Sequence, residues 1–240
     1  MKKLIIYHYF PNTLNLYGDR GNVTILQKQL EWRGIEADIH YVDQVKDYPV
    51  SQADLIFIGG GSDSEQQIVQ EQLLSIRKEL KAGIEDGLAA LCICGGYQLL
   101  GDYYETANSD IIQGLGILPF YTSCKDTGSV GRLVGNVRVQ SEKFGRIVGF
   151  ENHSGQTFHS FDCLGQVLQG YGNNVTEKKE GLLYKNLIGT YLHGPFLSSN
   201  IHVSDWLILQ ALNRKYGLTE LETLECTLEK TASDFSWDKR

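Results

Sequence analysis

Residues 87–101 read GLAALCICGGYQLLG, a run of small and apolar residues that stops at Cys94 and passes straight into Gly95 and Gly96. A buried strand needs no thiol at its end, and a structural cysteine needs no glycines after it. The surrounding chain repeats one rhythm. Segments 3–10 (KLIIYHYF), 36–43 (EADIHYVD), 53–61 (ADLIFIGGG) and 88–94 (LAALCIC) read as strands. The third is apolar almost throughout, as a strand covered on both faces should be. Between them, 22–34 places apolar residues at helical spacing and stops at Gly34, and 62–83 opens on Ser and Asp and ends at Gly83. Residues 96–105 (GYQLLGDYYE) read as the next helix. Strand and helix in alternation predict an α/β fold, a parallel sheet with helices on both faces.

The second half changes character. Segments 131–140, 145–155, 163–172 and 181–195 are short, β-like and divided by Gly-rich turns, which predicts antiparallel or mixed strands. A last amphipathic helix is expected over 200–217, docked on the sheet. The division expected is a domain over 1–217 and an acidic, weakly periodic tail over 218–240, frayed or used by a partner.

Composition narrows the function. The 240 residues carry a formal charge of −7, and Lys and Arg are not clustered, which argues against nucleic acid or an anionic membrane surface as partner. No apolar run reaches the roughly 20 residues a bilayer span needs, and the start lacks a cleavage site for a signal peptide, so a cytoplasmic protein without membrane insertion is expected. Five cysteines without framework spacing fit a reducing compartment. The paired spacings of a structural zinc site do not occur, and no metal or other cofactor is expected.

In an open parallel sheet, ligands bind beyond the carboxyl ends of the strands, where Cys94 falls. A tight strand-to-helix turn that lifts one side chain into that crevice needs small neighbours. CICGG is similar to such a nucleophile elbow, with Cys92 in place of the leading glycine. The amide of Gly95 would face an oxyanion, and the helix start would favour the thiolate. Gly59, Gly60 and Gly61 end the neighbouring strand and offer a second amide donor. A phosphate loop is excluded there by the missing GK[ST] ending. A thiol nucleophile needs a base. His193 ends an apolar strand before Gly194 and Pro195, and it is the better candidate, ahead of His153.

Together FIGGGSDSEQ (57–66), CICGGYQLLG and YLHGP (191–195) resemble the class I glutamine amidotransferases, in the branch of the cobyric acid synthase glutaminases. NLYGDRGN (15–22), GRLVGN (131–136) and GFENHSG (149–155) are similar to the glutaminase subunits of lipid II isoglutaminyl synthases within it. The resemblance implies a three-layer, flavodoxin-like fold, with Cys94 as nucleophile, His193 as base, Gly60 and Gly95 as oxyanion hole and Arg132 holding the substrate L-glutamine. An arginine suits that task because a guanidinium clamps a carboxylate at two points. It further implies a heterodimer. Ammonia would pass to a Mur-ligase-like, ATP-dependent synthetase subunit that amidates the D-glutamate of the lipid II stem peptide and keeps the pair at the inner face of the membrane.

One departure stands out: the Glu that such enzymes carry two residues after the histidine is replaced here by Pro195. A bare dyad, an acid in this chain such as Asp19 or Glu151, or an acid donated by the partner would each answer it, and the last is the expectation. Two other readings remain open from the residues alone: a free-standing cysteine hydrolase acting on γ-glutamyl or peptide bonds, and a non-catalytic binding module.

Overall fold

A computed structural model describes residues 2–125 and 131–238 of the chain. Its first half alternates as expected: β1 (Lys3–Tyr9), α1 (Arg20–Glu31), β2 (Glu36–Val42), β3 (Leu55–Ile58), α2 (Asp63–Glu85) and β4 (Ala89–Ile93). Every residue of β3 and β4 is buried, which explains their unbroken apolar sequence. Helix α2 starts at a capping box in which the Ser62 side chain accepts from the Glu65 amide and the Glu65 carboxylate accepts from the Ser62 amide. Its buried stripe, Val69, Leu73, Ile76, Leu80 and Ile84, steps by three and four residues along one face.

After β4 the chain makes α3 (Gly95–Gln98), a single turn, where a helix reaching residue 105 is expected from sequence. The cause is local. Gly101 lies against Phe120, where a Cβ would fall 2.6 Å from the Phe120 carbonyl oxygen, and the tyrosine-rich segment beyond it pairs as a strand. Short strands then follow in two small sheets. One is built from β5 (Tyr103–Glu105), β6 (Ile111–Gln113), β7 (Tyr121–Ser123) and a later strand. The other begins with β8 (Leu133–Ser141) and β9 (Gly145–His153). The rest are β10 (Gln156–Phe158), β11 (Gly165–Gln169), β12 (Lys179–Glu180), β13 (Leu182–Tyr184) and β14 (Leu187–Thr190), followed by α4 (Ile201–Tyr216) and α5 (Thr227–Asp238).

Among the described residues the main sheet has the order β13-β14-β4-β3-β1-β2, parallel except for β13 at its edge. The chain steps from β1 outward to β2, then returns to β3 on the other side of β1 and moves on to β4. With right-handed crossovers this reversal puts α1 and α2 on opposite faces and opens a crevice above the carboxyl ends of β1 and β3. Helix α4 packs with α1 on one of those faces and ends at Gly217, whose φ of 69° supplies the left-handed cap.

The tail is neither a simple extension of α4 nor shapeless. Helix α5 packs on β9, with the Arg138 guanidinium donating to the Trp237 carbonyl at 3.0 Å and the Arg146 guanidinium over the Trp237 ring. No helix among the described residues is long and apolar enough to cross a membrane.

Candidate active site

Four neighbouring strands, β14, β4, β3 and β1, each deliver one part of the site from their carboxyl ends. Cys94 follows β4 directly. Its backbone is held at φ 48° and ψ −105°, a strained conformation for a residue with a side chain, and its amide donates to the Thr190 carbonyl at 2.8 Å. The strain sits on the cysteine itself, because neither Gly95 nor Gly96 lies at positive φ. The two glycines answer a packing demand instead. A Cβ on Gly95 would fall 2.9 Å from the Gly61 nitrogen and oxygen, and one on Gly96 would fall 2.7 Å from the Ile58 oxygen. The elbow can stand against the loop after β3 only if both positions lack side chains.

His193 lies three residues beyond β14, tied into an isolated bridge with Phe150, its amide donating to the Phe150 carbonyl at 2.8 Å. Its Nδ1 meets Asp19 Oδ1 at 2.9 Å, and both side chains are fully buried. Its Nε2 makes no hydrogen bond among the described residues, yet the Cys94 sulfur lies near enough to raise its proton affinity. Burial works against the imidazolium, but Asp19 and Cys94 outweigh it and lift the His193 pKa to about 10.

Gly60 is where the parts converge. A Cβ there would fall 3.0 Å from His193 Cε1, 3.1 Å from Asp19 Oδ2 and 3.2 Å from Cys94 Cβ. Its amide is not free for an oxyanion as expected, because it donates to Asp19 Oδ2 at 2.8 Å. Asp19 thus uses one oxygen on the imidazole and the other on the backbone of the loop. The amides of Gly61 and Gly95 have no acceptor among the described residues, and Gly61 lines the same cavity as Cys94. An acid in cis also replaces the expected partner-donated one beside His193. Glu151, the other candidate in the chain, is occupied elsewhere, accepting from the amides of Tyr171 and Gly172 at 2.8 Å each.

The cavity in front of Cys94 measures about 420 Å³. Arg132 stands on its wall, with Nε donating to Asn152 Oδ1, Nη1 to Ser154 Oγ at 3.2 Å and Nη2 to the Asn152 carbonyl at 3.1 Å. Asn152 Nδ2 in turn donates to Tyr17 Oη at 2.6 Å, and the Tyr17 ring meets the His193 ring edge-on at 4.9 Å. Tyr17 itself has a left-handed backbone, φ 54°. His153 also lines the cavity, but it stacks flat on Tyr191 at 3.6 Å and engages the Gly155 carbonyl through Nδ1. It is held away from the base position. Tyr17 and Asn152 were not singled out from sequence, although they lie inside the motifs NLYGDRGN and GFENHSG; Gly61 is one of the three glycines expected to offer a second amide donor.

The cavity presents a nucleophile, the free amide of Gly61 and a guanidinium, and an imidazole with its orienting carboxylate stands beside the nucleophile, a set suited to acyl transfer. The sequence matches the CobB/CobQ-like glutamine amidotransferase domain over residues 5–201. It is 46% identical over 215 residues, 90% of this chain and 87% of the relative, to the lipid II isoglutaminyl synthase (glutamine-hydrolyzing) subunit GatD of Staphylococcus aureus. It is 39% identical over 218 residues, 90% of this chain and 83% of the relative, to the subunit of that name in Streptococcus pneumoniae. In fold it is similar to PurLQS from Thermotoga maritima, with a TM-score of 0.59 at 15% identity over 90% of this chain and 99% of the other. A site assembled from four strand ends and a sequence matched nearly end to end lead to one conclusion: the chain belongs to the CobB/CobQ-like glutamine amidotransferase family.

Proposed function

We propose that this chain is a glutaminase subunit that hydrolyses L-glutamine to glutamate and ammonia through a thioester on Cys94. The observation that carries the reading is the convergence of Cys94, His193 and Asp19 on the bare Cα of Gly60. The Cys94 thiol gives its proton to His193 Nε2 as its sulfur attacks the side-chain amide carbon, and a C–S bond forms as the carbonyl π pair moves to oxygen. The amides of Gly95 and Gly61 receive that oxyanion, while Gly60 braces Asp19. His193, held protonated by Asp19, gives its Nε2 proton to the nitrogen as the C–N bond breaks and ammonia departs. Water, deprotonated by the now neutral His193, then cleaves the thioester to glutamate and restores the thiol. Arg132 holds the α-carboxylate throughout.

Ammonia is the useful product only if a second enzyme consumes it. By the names of its relatives, that enzyme is a synthetase subunit acting on lipid II. In this reading it is Mur-ligase-like, activates the D-glutamate carboxylate with ATP, and keeps the heterodimer at the cytoplasmic face of the membrane. The test is labelling with 6-diazo-5-oxo-norleucine followed by peptide mapping, with ammonia release from glutamine followed in parallel. Modification at Cys94 and loss of ammonia release together are the expected result; an unlabelled Cys94 in a protein that still releases ammonia overturns the assignment.

A further inference from the structure

Free glutamine is a zwitterion, and the cavity that Arg132 lines also carries an exposed carboxylate, Asp63, and a buried acceptor without a donor, Gln66 Oε1. Asp63, the first residue of α2, lines the cavity and has no hydrogen bond or ion pair among the described residues. It is not spent on capping, since Ser62 and Glu65 close the capping box without it. One turn on, at the i+3 position that shares its helix face, Gln66 is 1% exposed and also lines the cavity. Its Nε2 donates to Gln98 Oε1 at 2.9 Å and to the Gly61 carbonyl at 3.3 Å, which leaves Oε1 buried with no donor. An orphaned buried acceptor beside the nucleophile marks a place where a donor from outside is missing.

Charge agrees with that geometry. Asp63 is the carboxylate and Arg132 the guanidinium of the cavity lining, and Cys124 on the same lining senses both. Burial is the main reason the Cys124 thiol titrates high; Asp63 adds to the rise and Arg132 opposes it. The two charges therefore stand within electrostatic reach of one point in the cavity.

We propose that the first turn of α2 is the nitrogen-recognition wall of the site: Asp63 pairs with the α-ammonium of glutamine, and Gln66 Oε1 accepts from its side-chain carboxamide. With Arg132 on the carboxylate, the amino acid is fixed at both charged ends and its amide carbon is directed to Cys94. Asp63 then sets specificity for substrates with a free α-amino group, the class to which L-glutamine and γ-glutamyl compounds belong.

This inference rests on the glutaminase reading, and the experiment separates the two. The chain, alone and with its synthetase partner, is assayed for ammonia release from L-glutamine and from 4-carbamoylbutanoate, which lacks only the α-amino group. Asp63→Asn is expected to raise KM for L-glutamine roughly 10- to 100-fold with little change in kcat, and to leave KM for 4-carbamoylbutanoate unchanged. Asp63→Glu, which keeps the charge, is expected to recover most of the loss. If Asp63→Asn impairs both substrates equally, or neither, Asp63 acts only on the helix and the inference falls. Wild-type protein that releases ammonia from neither substrate overturns the glutaminase reading itself, and this one with it.

Discussion

Asp19 and His193, 174 positions apart in the chain, are joined by a 2.9 Å hydrogen bond at full burial, and the second Asp19 oxygen holds the amide of Gly60 at 2.8 Å. The carboxylate therefore orients the imidazole and fixes the loop that faces the thiol. Removing its charge should damage both.

We expect Asp19→Asn to lower kcat for glutamine hydrolysis by roughly 10²- to 10⁴-fold, the span of general acid–base catalysis, whose upper end matches the loss of the orienting acid from a serine triad. Steady-state ammonia release measures it. Unchanged kcat would mean that the acid comes from elsewhere.

The same contact makes stability depend on pH. The folded state holds the His193 proton to about pH 10, against an ordinary value of 6.5. The sign follows: the stabilisation is full below pH 6.5 and is lost as pH rises through 10. Urea midpoints for the wild type are expected to fall across that window, and Asp19→Asn, which lowers the folded value toward 6.5, is expected to flatten that fall. Parallel curves for the two proteins would show that Asp19 does not support the imidazolium.

Arg132 is aimed by its neighbours. Asn152 accepts from Nε through its side chain and from Nη2 through its backbone, and it is itself held by Tyr17. Asn152→Ala should raise KM for glutamine about tenfold with kcat nearly preserved, because the guanidinium loses its fixed direction. Tyr17→Phe keeps the ring on His193 and should produce a smaller rise. A fall in kcat alone for Asn152→Ala would show that the arginine is set by other means.

Two glycines test packing against conformation. Gly96→Ala puts a Cβ 2.7 Å from the Ile58 oxygen and 2.8 Å from the Gly59 oxygen, both backbone atoms. It should cost about 1–3 kcal/mol in denaturant unfolding and should also displace the Gly60 loop and lower activity. Gly34→Ala, at φ 65° with open space around it, should cost only about 1–2 kcal/mol and leave activity intact. Equal losses of activity in the two variants would refute the packing argument.

Local signals carried much of this. The apolar runs of β3 and β4, the stop at Cys94 and the serine that caps α2 are all written within a few residues, and they identified the parallel sheet and the crevice above it. What local pattern misses is where the chain returns. Nothing near Asp19 says that it will meet a histidine on the far side of the sheet; that depends on β14 lying beside β4. Periodicity also extended α3 too far, because GYQLLGDYYE has helix-like spacing while its glycine and tyrosines respond to Phe120 and to strand partners in the small sheet. The glycines after Cys94 were legible as a demand for small residues. The source of that demand, the backbone of another loop, was not.

Because each part of the candidate site hangs from a different strand of one sheet, no fragment of this chain can hold that site in partial form. Denaturation should therefore erase thiol reactivity and secondary structure at a single midpoint, and a mutation far out on the sheet that loosens strand order would register at Cys94 as a loss of chemistry before any side chain around it had changed.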